Sequence, residues 1–220
     1  MSNIYLKVPS IDELHYRQEW MKDTKTMSYN AGFDMDLKGY NKETGTITKT
    51  DEEMINWYNN WINKEPDKYY AYVYDKEIDE PLGEVYYYPD NGIHSMGIVI
   101  QDKYRGKSYS YNALIELEKV AFEKNNINEL SDMVPLDRFG AIKVFKKAGF
   151  IHTEKEQIEK VFGKDTTAKQ LLITKEMYFD NKDCDPNEWN SKLNAKLNWI
   201  NSVNKVYNLL CLRSEWVSYD

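Results

Sequence analysis

The chain is short of three things, and each shortage narrows what it can be. Its two cysteines, Cys184 and Cys211, lie far apart and match no metal-ligand spacing, so both read as reduced structural thiols and no metal site is expected. No apolar run approaches the roughly 20 residues that span a bilayer. The opening MSNIYLKVPS lacks the apolar stretch of a secretory signal, so a cytoplasmic protein with no membrane partner is expected. Positive charge is in deficit: 29 Lys and Arg against 36 Asp and Glu leave a formal −7. A nucleic-acid partner demands a dense basic face, which this balance argues against, whereas a cationic substrate is compatible with it. There is no internal repeat and no low-complexity segment.

What is present is a globular composition, 41% apolar and 30% charged, rich in tyrosine (18) and tryptophan (6). Such rings favour strands and flat apolar surfaces with polar edges. IYLKV reads as a strand, and Pro9-Ser10 opens a helix from Ile11 to Met21. Residues 22–49 carry five breakers (Asn30, Gly32, Gly39, Asn41, Gly45), a long irregular segment of a kind that usually has a task. Thr50 and Glu53 form a capping box for a helix, DEEMINWYNNWI, whose Met54, Trp57, Tyr58 and Trp61 recur at helical spacing and predict a core stripe.

Strands are then predicted at 69–75, 82–88 and 95–100, with Pro89-Asp90-Asn91-Gly92 turning the last two into an antiparallel meander. A helix follows from about Ser108 to Lys124, then the strand ELSDMV, the helix DRFGAIKVFKKA ending at Gly149, and the strands FIHTE and QLLITK. After Asp185-Pro186 a further amphipathic helix is expected, with Trp189, Leu193, Leu197 and Ile200 near one face, and VYNLLCL as a late strand. The pattern predicts an α+β or mixed α/β fold, one sheet with helices on its faces. It further predicts a domain over residues 1–179 and an extension over 180–220 that packs on the domain or on a second subunit, so a monomer and a homodimer both stay open.

The segment QDKYRGKSYSYNAL, 101–114, holds a Gly-Lys-Ser triplet between a strand and a helix. A Walker A loop requires glycine five residues before its Gly-Lys pair, and Gln101 occupies that place. What remains is a basic loop (Lys103, Arg105, Lys107) feeding a helix whose first turn presents unpaired N–H groups and the positive end of its dipole. That arrangement suits a pyrophosphate, and it equally fits a solvated turn.

Two blocks carry a resemblance. QDKYRGKSYS supplies Gln101, Arg105, Gly106, Ser108 and Ser110 to a pattern Gln/Arg-x-x-x-Arg-Gly-x-Gly-x-Gly/Ala. RFGAIKVFKKAGF supplies Ala141, Ile142, Lys147, Gly149 and Phe150 to a second pattern about 30 residues on. Together, over about residues 3–178, the sequence resembles the GNAT superfamily of acyl-CoA-dependent N-acyltransferases. The resemblance implies acetyl-CoA as cofactor. Its pantetheine would lie between the fourth and fifth strands against Ile98, Val99, Ile100 and Gln101, and its pyrophosphate on the amides of Arg105, Gly106, Lys107, Ser108, Tyr109 and Ser110. Arg138 stands where the family has Asn and could meet a cofactor phosphate. Phe145 stands where many members have the tyrosine that protonates the departing thiolate.

Acyl transfer to an amine requires a neutral amine, a donor for the oxyanion and a destination for a proton. The resemblance places the oxyanion donor on the backbone at Val99 and Ile100. Glu84, His94 and Asp132 are the candidate bases, each also readable as an ordinary paired or exposed residue. Tyr29, Asn30, Asp34 and Asp36 are candidate substrate contacts, two aspartates suiting a cationic amine. The expected activity is acetylation of a primary amine of a small molecule. A protein N-terminus or lysine as acceptor, and a CoA-binding module without turnover, are the alternatives.

Overall fold

The computed structural model describes residues 3–78 and 80–182. The helix and strand expected after Asp185-Pro186, and both cysteines, lie outside them. The described residues up to Tyr178 form one compact unit, and a second begins at Phe179. No helix among the described residues is long and apolar enough to cross a membrane.

The elements follow the alternations in the sequence. They are β1 (Ile4–Lys7), α1 (Leu14–Lys22), α2 (Asp51–Trp61), β2 (Tyr69–Asp75), β3 (Pro81–Asp90), β4 (Ile93–Ile100), α3 (Tyr109–Glu118), β5 (Glu129–Pro135), α4 (Phe139–Lys147), β6 (Ile151–Val161), β7 (Lys164–Thr174) and α5 (Lys175–Lys182). α2 starts as its capping box dictates: the Thr50 side chain accepts the Glu53 N–H, and the Glu53 carboxylate accepts the Thr50 N–H. α3 runs on as a π-helical turn, Lys119–Lys124. The β3–β4 hairpin closes on two residues, Asn91 and Gly92, both at positive φ (51° and 86°), the conformation a type I′ turn requires.

The sheet has seven strands in the order β1-β2-β3-β4-β5-β7-β6. Every pair is antiparallel except β4 with β5. The expected mixed fold is therefore the observed one. One face is covered by α3 and α4, where Val85, Tyr87, Met96, Leu114, Leu117, Leu130, Phe145 and Leu171 form the larger core. The other meets α1 and α2 through Trp20, Ile62, Tyr70, Tyr72 and Tyr74. β2, sandwiched between them, is buried along its whole length. The helix stripe expected to be core divides: Met54 is buried, while Trp57, Tyr58 and Trp61 are half-buried.

The strands after α4 differ from expectation. FIHTE and QLLITK are the ends of a long hairpin in which β6 and β7 run 11 residues each. Its middle, EKEQIEKVFGKDTTAK, is charged and largely solvated, so it lacks the alternation that marks a half-buried strand. The hairpin is paired at its tip with the long segment before α2: Phe162 donates its N–H to Gly32 at 2.7 Å, and Phe33 bridges Val161.

Candidate active site

The parallel strands β4 and β5 are joined only at His94–Leu130 and Ser95–Ser131. Both continue, to Ile100 and Pro135, without further pairing, so the sheet opens there. The Gln101 N–H donates to the Leu82 carbonyl at 2.9 Å and sets the phase of the β3–β4 ladder. In that phase Val99 and Gly97 exchange bonds with Glu84 and Tyr86, and the amides of Ile98 and Ile100 turn toward the opening. Of the two backbone positions expected to offer a donor, Ile100 thus turns its amide to the opening and Val99 turns its own to β3.

A cavity of about 370 Å³ occupies the mouth of the opening, lined among others by Ile98, Val99, Ile100, Arg105, Gly106, Ser110, Gly140 and Phe145. At its entrance Gly106 has φ 76° and Ser108 φ 64°. Ser108 accepts the Asn112 N–H, the first bond of α3, so the amides of Tyr109, Ser110 and Tyr111 enter the helix with no intrahelical acceptor. A Cβ built on Gly106 would meet nothing within 4 Å, so open space faces the backbone that a phosphate must approach. These residues fit the diphosphate of a CoA ester: an amide-rich helix entry, a glycine at its edge and an apolar slot behind.

The loop is less basic than its sequence. Lys103 pairs with Glu80 at 2.6 Å, and the Arg105 guanidinium is spent on backbone carbonyls. Among the described residues Lys107 alone of the three is in no ion pair. Gln101 caps β3, its Nε2 donating to the Pro81 carbonyl at 2.7 Å, and it does not line the cavity. Tyr109 packs edge-on against Tyr104. Arg138 lies over the Tyr29 ring, 5.4 Å from its centroid, outside the lining. Phe145 is buried in the slot wall, edge-on to Phe150 at 5.0 Å, and brings no hydroxyl.

The candidate substrate residues separate. Tyr29 and Asn30 line the cavity with Thr26, opposite β4, so they belong to the slot itself. Asp34 forms an ion pair with Lys42 and donates its N–H to the Lys160 carbonyl of the β6–β7 hairpin at 3.3 Å, and Asp36 is exposed; neither lines the cavity.

The three candidate bases separate as well. Glu84 is buried, accepts from the Tyr70 hydroxyl, and lies 3.2 Å from Arg17 Nε without an aligned hydrogen bond. Arg17 is clamped in turn over Trp57, 4.2 Å from the ring centroid. Burial works against the Arg17 charge, and Glu84 with Tyr70 and Tyr86 overrides that, so the guanidinium stays charged. His94 sits at the paired end of β4, edge-on to Tyr87 on the α3 side. Burial lowers its pKa, with Asp67 and Glu129 opposing.

Asp132 follows directly on the last β4–β5 pair, at the closed end of the opening. Burial raises its pKa to about 7 against a lowering hydrogen bond from the Met133 amide. It forms no ion pair among the described residues, and its charge is felt by the hydroxyls of Tyr86 and Tyr88. Those two rings, with Trp61 edge-on to both at 5.6 and 5.4 Å, make an aromatic wall that sequence reasoning did not assemble. Gly97 permits it, since a Cβ there would overlap the Tyr86 ring. The signal was the alternation Glu84-Tyr86-Tyr88 on one face of β3, seen only as strand propensity.

A sheet parted between parallel strands, with an amide-lined helix entry at the mouth of the gap, defines an acyl-CoA transferase cleft. The sequence matches the Acetyltransferase (GNAT) domain over residues 5–151, and the chain belongs to this family of acetyl-CoA-dependent acyltransferases. No curated protein matches it. Among solved structures it is similar to the spermidine N-acetyltransferase of Vibrio cholerae in complex with CoA and spermine. The TM-score is 0.65 and the identity 18%, over 81% of this chain and 99% of that one. A GNAT-family acetyltransferase of Bacillus anthracis superposes with TM-score 0.61 and 14% identity, over 80% and 96%. At such identities the likeness is one of fold.

Proposed function

We propose that the chain acetylates a primary amine of a small molecule by direct attack in a ternary complex, with residues 1–179 as the transferase domain and 180–220 as an extension. The observation that carries this reading is the amide-lined helix entry at the mouth of the slot beside β4, with the Asp132 carboxyl, in no ion pair among the described residues, just beyond the last β4–β5 pair and outside the slot lining. Acetyl-CoA supplies the acyl group as a thioester. The amides from Gly106 to Ser110, with the Lys107 ammonium, hold the phosphates, and the amides of Ile98 and Ile100 face the pantetheine and the thioester oxygen. Asp132, once ionised, takes the proton from the amine nitrogen.

Glu84 stays with Arg17 and serves to hold Tyr70 and α1 against β3. Phe145 leaves the thiolate without a neighbouring phenol. A thiol, with a pKa of about 8.5, departs without a strong acid and recovers its proton from solvent. The amine would lie against the wall of Trp61, Tyr86 and Tyr88 with Asp132 beside it, a surface suited to an aminium group on an apolar chain. The spermine held by the Vibrio cholerae enzyme is of that chemistry, which supports the small-molecule reading.

The test is CoA release from acetyl-CoA, followed by thiol titration, with spermidine, spermine, an arylalkylamine and a peptide with a free N-terminus. Turnover with one of the small amines is expected. Turnover with the peptide alone would replace the small molecule by a protein acceptor. Tight CoA binding with no turnover on any of them would leave a binding module.

A further inference from the structure

Arg105 belongs to the cofactor loop, yet its side chain points to a segment about 80 residues earlier. Nε donates to the Ile100 carbonyl at 3.1 Å, Nη1 to the Lys25 carbonyl at 3.1 Å, and Nη2 to the Thr26 carbonyl. The same guanidinium lies 5.0 Å from the centroid of Tyr29, and Nη1 is 3.6 Å from Asp102 Oδ1. A second tie runs beside it: the Asp102 N–H donates to Thr26 Oγ1 at 3.1 Å, and that hydroxyl donates to Asp23 Oδ2 at 2.5 Å. Thr26 is 3% exposed, so the bonds made at its hydroxyl and carbonyl are partly shielded from water, while the one to the Lys25 carbonyl is exposed.

The segment so held is the turn Thr26–Asn30, from which Thr26, Tyr29 and Asn30 face the slot across from Ile98, Val99 and Ile100. The turn is a 3₁₀ segment inside a long connection, anchored on its far side by the buried Met27 and by the Tyr40 hydroxyl, which donates to the Asn30 carbonyl at 2.6 Å. On the slot side Tyr29 is 47% exposed, and the three crossing hydrogen bonds from residues 102–105 are what tie Lys25 and Thr26 to the cofactor loop.

We propose that Arg105 is a positioning residue: its guanidinium sets the Thr26–Asn30 turn as the second wall of the slot before cofactor arrives, so that the cofactor loop and the acceptor-side segment move as one body. Lysine cannot substitute, because a single ammonium cannot reach three carbonyls set around a planar fork. The proposal rests on the slot being the CoA site, as the family reading has it, and its first readout requires no turnover.

Amide hydrogen exchange of the cofactor-free protein is compared for the native chain, Arg105→Lys and Thr26→Val, followed by calorimetric titration with CoA. Exchange across residues 26–31 should quicken by about tenfold or more in Arg105→Lys, with Ala71, Val73 and Val85 as protected as before, and CoA Kd should rise by about tenfold. Thr26→Val, nearly isosteric, should shift the same amides in the same direction and carries the test if the arginine variant does not fold. Native-like exchange with weakened CoA binding would mean that the guanidinium acts on the cofactor itself. Faster exchange with unchanged CoA affinity would mean that the turn is no part of the cofactor wall. Either result overturns the proposal, and neither depends on which amine the enzyme accepts.

Discussion

Asp132 and Glu84 lie on neighbouring parts of one sheet and have opposite fates, because one has an ion-pair partner and the other has not. Burial holds the Asp132 carboxyl near pH 7, so kcat/KM should rise with pH through that value as the carboxylate forms. Asp132→Asn should lower kcat by about 100-fold or more and flatten the profile, measured from pH 5.5 to 8.5. The stability effect has a definite sign. The folded state keeps this proton up to about pH 7 and the unfolded state loses it near the ordinary aspartate value of 3.8, so stability falls as pH rises between the two. Asp132→Asn should therefore gain stability relative to the native chain at pH 8 compared with pH 4, readable from denaturant melts. For Glu84, removal strands the Arg17 charge between Trp57 and Tyr70. Glu84→Gln is expected to cost about 3–5 kcal/mol in unfolding free energy while the folded fraction keeps its kcat. A Glu84→Gln protein with native stability and no activity would instead make Glu84 the base.

Among the elements, the β6–β7 hairpin shows how a solvated piece of chain can still shape a site. Its turn is Phe162-Gly163, with φ 48° at a bulky residue, a conformation that costs about 1–2 kcal/mol and has to be held by its surroundings. The hold is Gly32, whose carbonyl accepts the Phe162 N–H and whose missing side chain leaves room for the ring. Gly32 itself has φ 91°. Gly32→Ala should release the hairpin tip from the segment before α2, with a loss of about 1–3 kcal/mol and faster proteolysis near residues 31–35 and 160–165, seen by limited digestion and mass spectrometry. The opening between β4 and β5 is likewise an element-scale feature. It arises because β4 exchanges its hydrogen bonds with β3 along its whole length and with β5 at two residues.

For the whole molecule, a formal −7 bears on the encounter with an acceptor rather than on the fold. If the acceptor is a polycation, its KM should climb as salt is raised from 20 to 300 mM, roughly the range over which screening shortens from tens of ångströms to a few. KM for a monoamine should move much less under the same titration.

Much of this was legible in the chain and some of it was not, and the division follows a physical line. Whatever depends on neighbours in sequence could be read directly: the capping box at Thr50 and Glu53, the Asn91-Gly92 turn, the order of strands and helices, and the glycine that opens α3 are local conformational facts. The loop motif at 101–110 belongs here too, since close approach of a phosphate is a demand on a few consecutive residues. What the tertiary structure decided are the pairings between distant segments. Arg105 looks like a phosphate ligand and turns to Lys25 and Thr26 because folding brings their carbonyls within hydrogen-bonding reach. Asp34 and Asp36 look like an amine site, yet Asp34 is tied to Lys42 and to the hairpin and neither lines the slot. Glu84, His94 and Asp132 carry the same warrant as letters, and burial, an arginine from α1 and the point where two strands part are what make one of them different.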